Sequence, residues 1–479
     1  MAAKEQSVKV NFAYNLCYQV LAVILPLIST PYLTRTLGPD GFGSYSFSFS
    51  IANYFAIFIL LGINNHGSRT IAKVRSSREE MSKAFLSIYS IQIGMALVVI
   101  AIYASLLLAR VFDYAEYQAI WMLYLLSGAL DINWFFFGLE QFEITVTRNF
   151  VIKILTFLGL FVVVHSADDL GAYIWLMACG MLAAQIVVWP FLIKQVSFVK
   201  IGFSDIKENI APAFVLFIPV AAVSVYTVFD KVLLGGLSGT IEAGYFDSAL
   251  KIATVPTLAI TALGSVMLPR ISNLLGNGKE HEAERYFGVS MRFVLALSAF
   301  SVFGLLSAVW EFAPLYYGQG FEPCAAIIAI IVLDVPFFAW ANVLRNQYLI
   351  PAKRDGAFVA SVVFGAVVNL VSNIILIPSM GAIGAAIGTV LAEASVCIFQ
   401  SMAIRKELPL LKYIRESFPY FVIGAGLFSA VRILAEIVLW PSLAIRFAVE
   451  VIVYVFGFAL YFAALIRKSG SVKAYLFEK

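Results

Sequence analysis

The charges of this 479-residue chain fall in short clusters, and the intervals between them are apolar runs of about 20 residues. That is the length a helix needs to cross a hydrocarbon core about 30 Å thick. With 61% of residues hydrophobic and 13% charged, against roughly 25% charged in a soluble chain, no water-soluble fold of this size hides so much apolar surface. The expected fold class is an all-α polytopic membrane protein. A secreted disulfide scaffold, a nucleic-acid binder and a soluble enzyme are excluded, and the net charge of +4 speaks about topology rather than about an acidic partner.

Reading the runs in order predicts about fourteen spans, near 11–33, 44–63, 84–108, 119–138, 150–165, 171–193, 209–229, 245–268, 288–310, 324–344, 357–377, 381–402, 417–437 and 442–466. Of the 33 basic residues, all but six fall on one side of this ladder, from Lys4 and Lys9 through the Arg69–Lys83 cluster to Lys468, Lys473 and Lys479. The positive-inside rule makes that side cytoplasmic, with both termini on it. The exceptions are Arg35, Arg110, Lys231, Lys251, Arg432 and Arg446, several of them inside or at the mouth of a span. No short apolar core with a small-residue cleavage site stands at the amino terminus, so the first span is expected to be an uncleaved anchor.

The opposite loops are short, and none has room for a folded catalytic domain. Asp168-Asp169, the nearest acidic pair, sits in a five-residue connection and reads as a solvated turn. Metal-ligand clusters, a phosphate-binding glycine loop and a nucleophile elbow are absent from the sequence, and His66, His165 and His281 are scattered. Cys17, Cys179, Cys324 and Cys397 lack C-x-x-C spacing and read as packing residues. The chain is expected not to be an enzyme and to need no cofactor.

A shift of 201 residues aligns Gly43 with Gly244, Arg69 with Arg270, Glu79 with Glu280 and Phe85 with Tyr286, and a shift of 203 pairs Asp131 with Asp334. These matches suggest two pseudo-symmetric six-helix bundles, 1–193 and 209–404, joined by a cytoplasmic linker at 194–208 and followed by an appended helix pair and tail, 405–479. Both bundles would insert with the same orientation, which suits a rocker-switch carrier with a central cavity.

Ionisable residues inside spans are costly, about 2.5–3.5 kcal/mol each at the centre, and therefore informative. Arg35, Arg69, Lys231 and Lys251 are candidates for a cationic, substrate-binding cavity. Asp131, Asp230, Asp247, Asp334 and Glu393 are candidates for ion coupling or for counter-ions. Asp247 and Lys251 stand i, i+4 and either neutralise each other or serve transport. Pro26 and Pro219 occupy similar places in the first and seventh spans, where they either hinge a moving helix or fix a static kink.

The stretch NFAYNLCYQVLAVILPLISTPYLTRTLGPDGFGSYSFSFSIANYF, with LGINNHGSRTIAKVR after it, resembles the opening of bacterial polysaccharide transporters that flip lipid-linked O-antigen or capsule repeat units. DINWFFFGLEQFEITVTRNFVIK and VVNLVSNIILIPSMGAIGAAIGTVLAE resemble the same family, within the multidrug/oligosaccharidyl-lipid/polysaccharide superfamily. The chain departs from it at Phe137, often Gln there, and at His66, often Tyr. The resemblance implies a flippase for undecaprenyl-diphosphate-linked oligosaccharide in the inner membrane, working by alternating access on a proton or sodium gradient. It also implies, as neighbours, a polysaccharide polymerase and chain-length machinery, and a groove for the polyprenyl tail in the appended pair. A monomer is expected. The rival is a multidrug or organic-cation antiporter of the same superfamily, which would want an acidic, aromatic cavity in place of the cations.

Overall fold

The computed structural model describes the backbone from Val8 to Ser469 and the side chains of residues 23–467. Lys4, Lys9, Cys17, Lys468, Lys473 and Lys479 fall outside that side-chain range, as does the reading of terminal orientation and packing that rests on them. Every regular element among the described residues is helical, and two compact units divide the chain, Met1–Gly244 and Tyr245–Lys479.

The first unit holds α1 (Val8–Leu60), α2 (Ile63–Val74), α3 (Arg78–Leu108), α4 (Ala115–Ala129), α5 (Asn133–Gly138), α6 (Phe142–Val163), α7 (Leu170–Ile186), α8 (Trp189–Gln195), α9 (Phe203–Ser224) and α10 (Asp230–Ser238). Helix α11 (Thr240–Ala253) runs across the division. The second unit continues with α12 (Val255–Gly276), α13 (Glu280–Tyr317), α14 (Pro323–Ile331), α15 (Val335–Leu344), α16 (Asp355–Ile404), α17 (Leu410–Ile437) and α18 (Leu443–Ser469).

Twelve helical stretches are long and apolar enough to span a membrane, and two of them, Val23–Val74 and Asp355–Ile404, are of double length. At 1.5 Å per residue, 50 residues reach about 75 Å, more than twice the hydrocarbon core, so each double stretch holds two spans. The loops expected around Thr34–Gly43 and Pro378–Gly381 are replaced by breaks at one glycine. Gly38 (φ 68°, ψ 179°) and Gly381 (φ 53°, ψ −133°) take backbone angles that a side chain disfavours. Pro39 then restarts the helix where its missing N–H costs nothing.

Side-chain register proves the reversal at Gly381. Gln400 Nε2 donates to Ser361 Oγ at 3.0 Å, Gly365 lies against Val396, Gly388 against Asn373 and Gly384 against the Leu376 backbone. Paired positions converge on residue 381, the register of an antiparallel hairpin. Small residues at Gly365, Gly384 and Gly388 let its two arms touch.

Other expected spans hold together but not as single helices. The fourth breaks between Ala129 and Asn133, the tenth passes through a 3-10 turn at Val332–Asp334, and π-turns interrupt the seventh at Val225–Phe229 and the end of the tenth at Arg345–Leu349. Each unit packs its own core: Phe85, Trp134, Phe135 and Phe136 in the first, Met291, Val294, Trp340 and Leu344 in the second.

Candidate functional site

Within the first unit, the break in the fourth span centres on Asp131. Its Oδ1 accepts the backbone N–H of Asn133 at 2.9 Å, an Asx-type cap that ends one helix and starts the next. A broken helix leaves carbonyls without partners, which in a membrane must be met by protein. Gln92, fully buried in α3, meets them: its Nε2 donates to the carbonyls of Gly128 at 2.9 Å, Ala129 at 3.3 Å and Asp131 at 2.8 Å. Its Oε1 accepts from Trp134 Nε1 at 3.0 Å. Arg148 on α6, also buried, donates to Asn133 Oδ1 at 2.8 Å, Asn149 Oδ1 at 2.8 Å, Gln185 Oε1 at 3.1 Å and the Ala184 carbonyl at 2.5 Å. Arg148 belongs to the basic residues that the charge ladder assigns to the cytoplasmic side, and Gln92 is not among the sequence candidates, although a glutamine in the middle of an apolar span is a signal for such a site.

The candidate cations of this unit do not form one cluster. Arg35 is exposed three residues before the Gly38 break, and Arg69 is exposed on α2. Between them runs the arm from Pro39 to Leu60, about 33 Å of helix. Lys231 stands at an intermediate level, half-buried beside fully buried Asp230 at the start of α10. Phe229 packs on Tyr54 of the same arm at 4.9 Å between ring centroids, and Gly235 packs on Phe47. The three cations are thus spread over depth. Pro26 and Pro219 both lie inside continuous helix, and the seventh span departs from α-geometry one to two turns beyond Pro219, at the π-turn that leads into Asp230.

In the second unit, the i, i+4 spacing of Asp247 and Lys251 brings them into an ion pair at 2.8 Å. Asp334 closes the 3-10 turn in the tenth span, just before Pro336 restarts helix α15. It is 8% exposed, and its Oδ1 has no hydrogen-bond partner among the described residues. Glu393 on α16, equally buried, lies within electrostatic reach of Asp334. Arg345 is half-buried at the head of the second π-turn, 5.7 Å above the Phe358 ring and near enough to attract Glu393. Two buried acids and one partly buried cation are therefore gathered beside a helix interruption and a π-turn, irregularities that recur at functional positions.

Two exceptions to the charge rule find their reason in the appended pair. Arg432 on α17 reaches Glu311 at 2.9 Å and Glu450 at 3.5 Å, while Arg446 on α18 reaches Glu311 at 2.9 Å, Glu436 at 3.0 Å and Glu450 at 3.1 Å. Glu311 and Glu450 are nearly sealed from solvent, at 3% and 1% exposure. The network pins α17 and α18 to the end of α13.

The chain is 24% identical over 420 residues to an Escherichia coli (strain K12) protein named "Putative O-antigen transporter", covering 85% of this chain and 99% of that one. It is 21% identical over 371 residues to the "Probable low-salt glycan biosynthesis flippase Agl15" of Haloferax volcanii, covering 77% and 78%. In fold it is similar to the lipid II flippase MurJ in an inward closed conformation, with a TM-score of 0.73, 14% identity and coverage of 95% and 99%. An inward-facing multidrug transporter of the MATE family follows at 0.61, 13% identity and coverage of 88% and 98%. The model of the family described as "Polysaccharide biosynthesis protein" matches residues 8–275. That is more than half of the chain, and the chain belongs to this family of polytopic membrane proteins.

Proposed function

We propose that the protein is a flippase rather than an enzyme, moving undecaprenyl-diphosphate-linked oligosaccharide repeat units from the cytoplasmic to the periplasmic leaflet of the inner membrane. The observation that carries this reading is the near end-to-end match to the E. coli protein named as an O-antigen transporter. The physics of the cargo agrees: each polar group dragged into hydrocarbon without a partner costs several kcal/mol, so sugars and a diphosphate need a polar, cationic path while the polyprenyl tail remains in lipid. Arg35, Lys231 and Arg69, stationed at successive depths, supply positive potential along such a path.

The driving step is assigned to Asp334 and Glu393. Two buried carboxylates within electrostatic reach of each other repel in a low dielectric, and a proton or sodium ion taken between them removes the repulsion. Loading and unloading that cation from opposite sides would couple its gradient to alternating access. Arg345, beside Glu393, would set how much of the charge is already balanced. The termini are taken as cytoplasmic, the working unit as a monomer, and a polymerase with its chain-length machinery as the consumer of the flipped units.

The test is reconstitution of the purified protein in proteoliposomes holding a fluorescent undecaprenyl-diphosphate oligosaccharide in the outer leaflet. Under an imposed proton or sodium gradient, the expected result is transfer of label beyond reach of an impermeant quencher. Gradient-driven efflux of organic cations with no transfer of the lipid would overturn the reading in favour of a multidrug antiporter, whose fold this chain also resembles.

A further inference from the structure

The turn that joins α16 to α17 carries Arg405 and Lys406, and Lys412 follows within the first turn of α17. Beside these three cations opens a cleft of about 930 Å³. Its walls are apolar: Phe337 and Trp340 come from α15, Ile398 and Met402 from α16, Phe418 and Phe421 from α17. Several of these side chains are open to the surroundings, Met402 at 60% and Phe418 at 63% exposure, as befits a surface that meets lipid tails. The cleft therefore joins an apolar slot to a basic mouth.

The charge of that mouth is not neutralised locally. Arg405 and Lys406 form no ion pair among the described residues. The acid next to them in sequence, Glu407, is committed elsewhere, held by Arg354 at 2.7 Å and by the Tyr348 hydroxyl. Lys412 approaches Glu416 only at 4.0 Å, and Glu416 is held more closely by Arg292 at 3.2 Å. The mouth thus carries a surplus of positive charge at the end of a helix, on the side that the distribution of Lys and Arg marks as cytoplasmic.

We propose that this cleft binds an anionic glycerophospholipid, with an acyl chain along Trp340, Ile398 and Phe418 and the headgroup phosphate on Arg405, Lys406 and Lys412. Basic pockets between membrane helices hold acidic headgroups in this way, because phosphate gains charge-assisted hydrogen bonds where the chain loses no contact with hydrocarbon. The bound lipid fills the space between the hairpin α16 and helix α17, and so joins the appended pair to the rest of the second unit along a seam that protein side chains leave open. The proposal is independent of what the protein transports.

The experiment uses the full-length protein in nanodiscs of phosphatidylcholine with and without phosphatidylglycerol, then native mass spectrometry after extraction into detergent. Wild type is expected to retain phosphatidylglycerol and to shed phosphatidylcholine. The combined variant Arg405→Gln, Lys406→Gln, Lys412→Gln should retain phosphatidylglycerol about a hundredfold more weakly, the scale that three interfacial basic residues contribute. Ile398→Trp, which fills the slot with an apolar group at an exposed position and leaves the charges intact, should weaken retention about tenfold at an unchanged unfolding temperature. Should the combined variant fail to fold, Arg405→Gln and Lys406→Gln singly give the same reading with smaller shifts. Equal retention of both lipids by wild type, unchanged retention in the variants, or displacement of phosphatidylglycerol by undecaprenyl phosphate offered alongside it would overturn the assignment, the last by giving the cleft to the polyprenyl lipid.

Discussion

The fourth span of the first unit and the tenth span of the second both carry a lone aspartate amid apolar residues, and both break at that aspartate. Their surroundings are opposite. At Asp131 the carboxylate caps the Asn133 amide, Gln92 takes the freed carbonyls and the Trp134 N–H, and the two terminal nitrogens of Arg148 hold Asn133 and its neighbours, although the Arg148 Nε has no hydrogen-bond partner among the described residues. At Asp334 one carboxylate oxygen has no hydrogen-bond partner among the described residues, and a second buried acid, Glu393, lies within electrostatic reach. A satisfied polar site holds a broken helix together, whereas an unsatisfied acidic pair is a place where a cation has something to gain. The same sequence signature therefore serves structure in one unit and is a candidate for work in the other.

The contrast can be broken most directly by neutralising the acids. Asp334→Asn and Glu393→Gln are each expected to abolish gradient-driven transfer, by a thousandfold or about 4 kcal/mol, with the protein still folded, because an uncharged isostere lowers the cost of burial. Asp131→Asn should cost less than about threefold in the same vesicle assay, since an amide oxygen still caps Asn133. Equal losses at Asp131 and Asp334 would erase the distinction between the two breaks.

Satisfied sites should act through stability instead. Arg432→Ala leaves Glu311 and Glu450 buried with one cation fewer, and thermal unfolding in detergent should report a loss of about 3 kcal/mol or more, with transport per folded molecule retained. Gln92→Leu strands three carbonyls and the Trp134 N–H, so a loss of about 1–3 kcal/mol is expected, again without a matching loss of transport. A Gln92→Leu protein that is stable but inactive would move the first break into the transport machinery.

The smallest effect sharpens the reading of Lys251. If it and Asp247 only balance each other, Asp247→Leu and Lys251→Met should each impair the protein while the double variant recovers to within about 1 kcal/mol of wild type in unfolding and transfers lipid normally. A stable double variant without transfer would assign Lys251 to the cargo.

Much of this architecture was legible in the chain. Charge clusters spaced by apolar runs marked the spans, and the 203-residue shift between Asp131 and Asp334 singled out the two positions where the fourth and tenth spans break. Arg432 and Arg446, anomalies under the charge rule, were signals too; they stand with the acids that explain them only once α13, α17 and α18 are packed together. The four cations were read as one group, but the three in the first unit are distributed along its helices, because helix length separates residues that a list of charges places side by side.

Hydropathy and charge are properties of short windows, so the sequence by itself determined that the chain lives in a membrane and about where it crosses, but only part of the set of ionisable residues it keeps inside: Arg148, Glu311 and Glu450 are buried and Arg35 and Arg69 exposed. What each of those residues meets depends on chains of contact between distant segments. Gln92 reaches Asp131 from another helix, and Glu393 comes within electrostatic reach of Asp334 because the 50-residue α16 folds back at Gly381 and brings its second arm to the tenth span, where Ser401 meets Trp340. A buried acid is costly or useful according to its partners, and partners are supplied by packing, which only the tertiary structure decided.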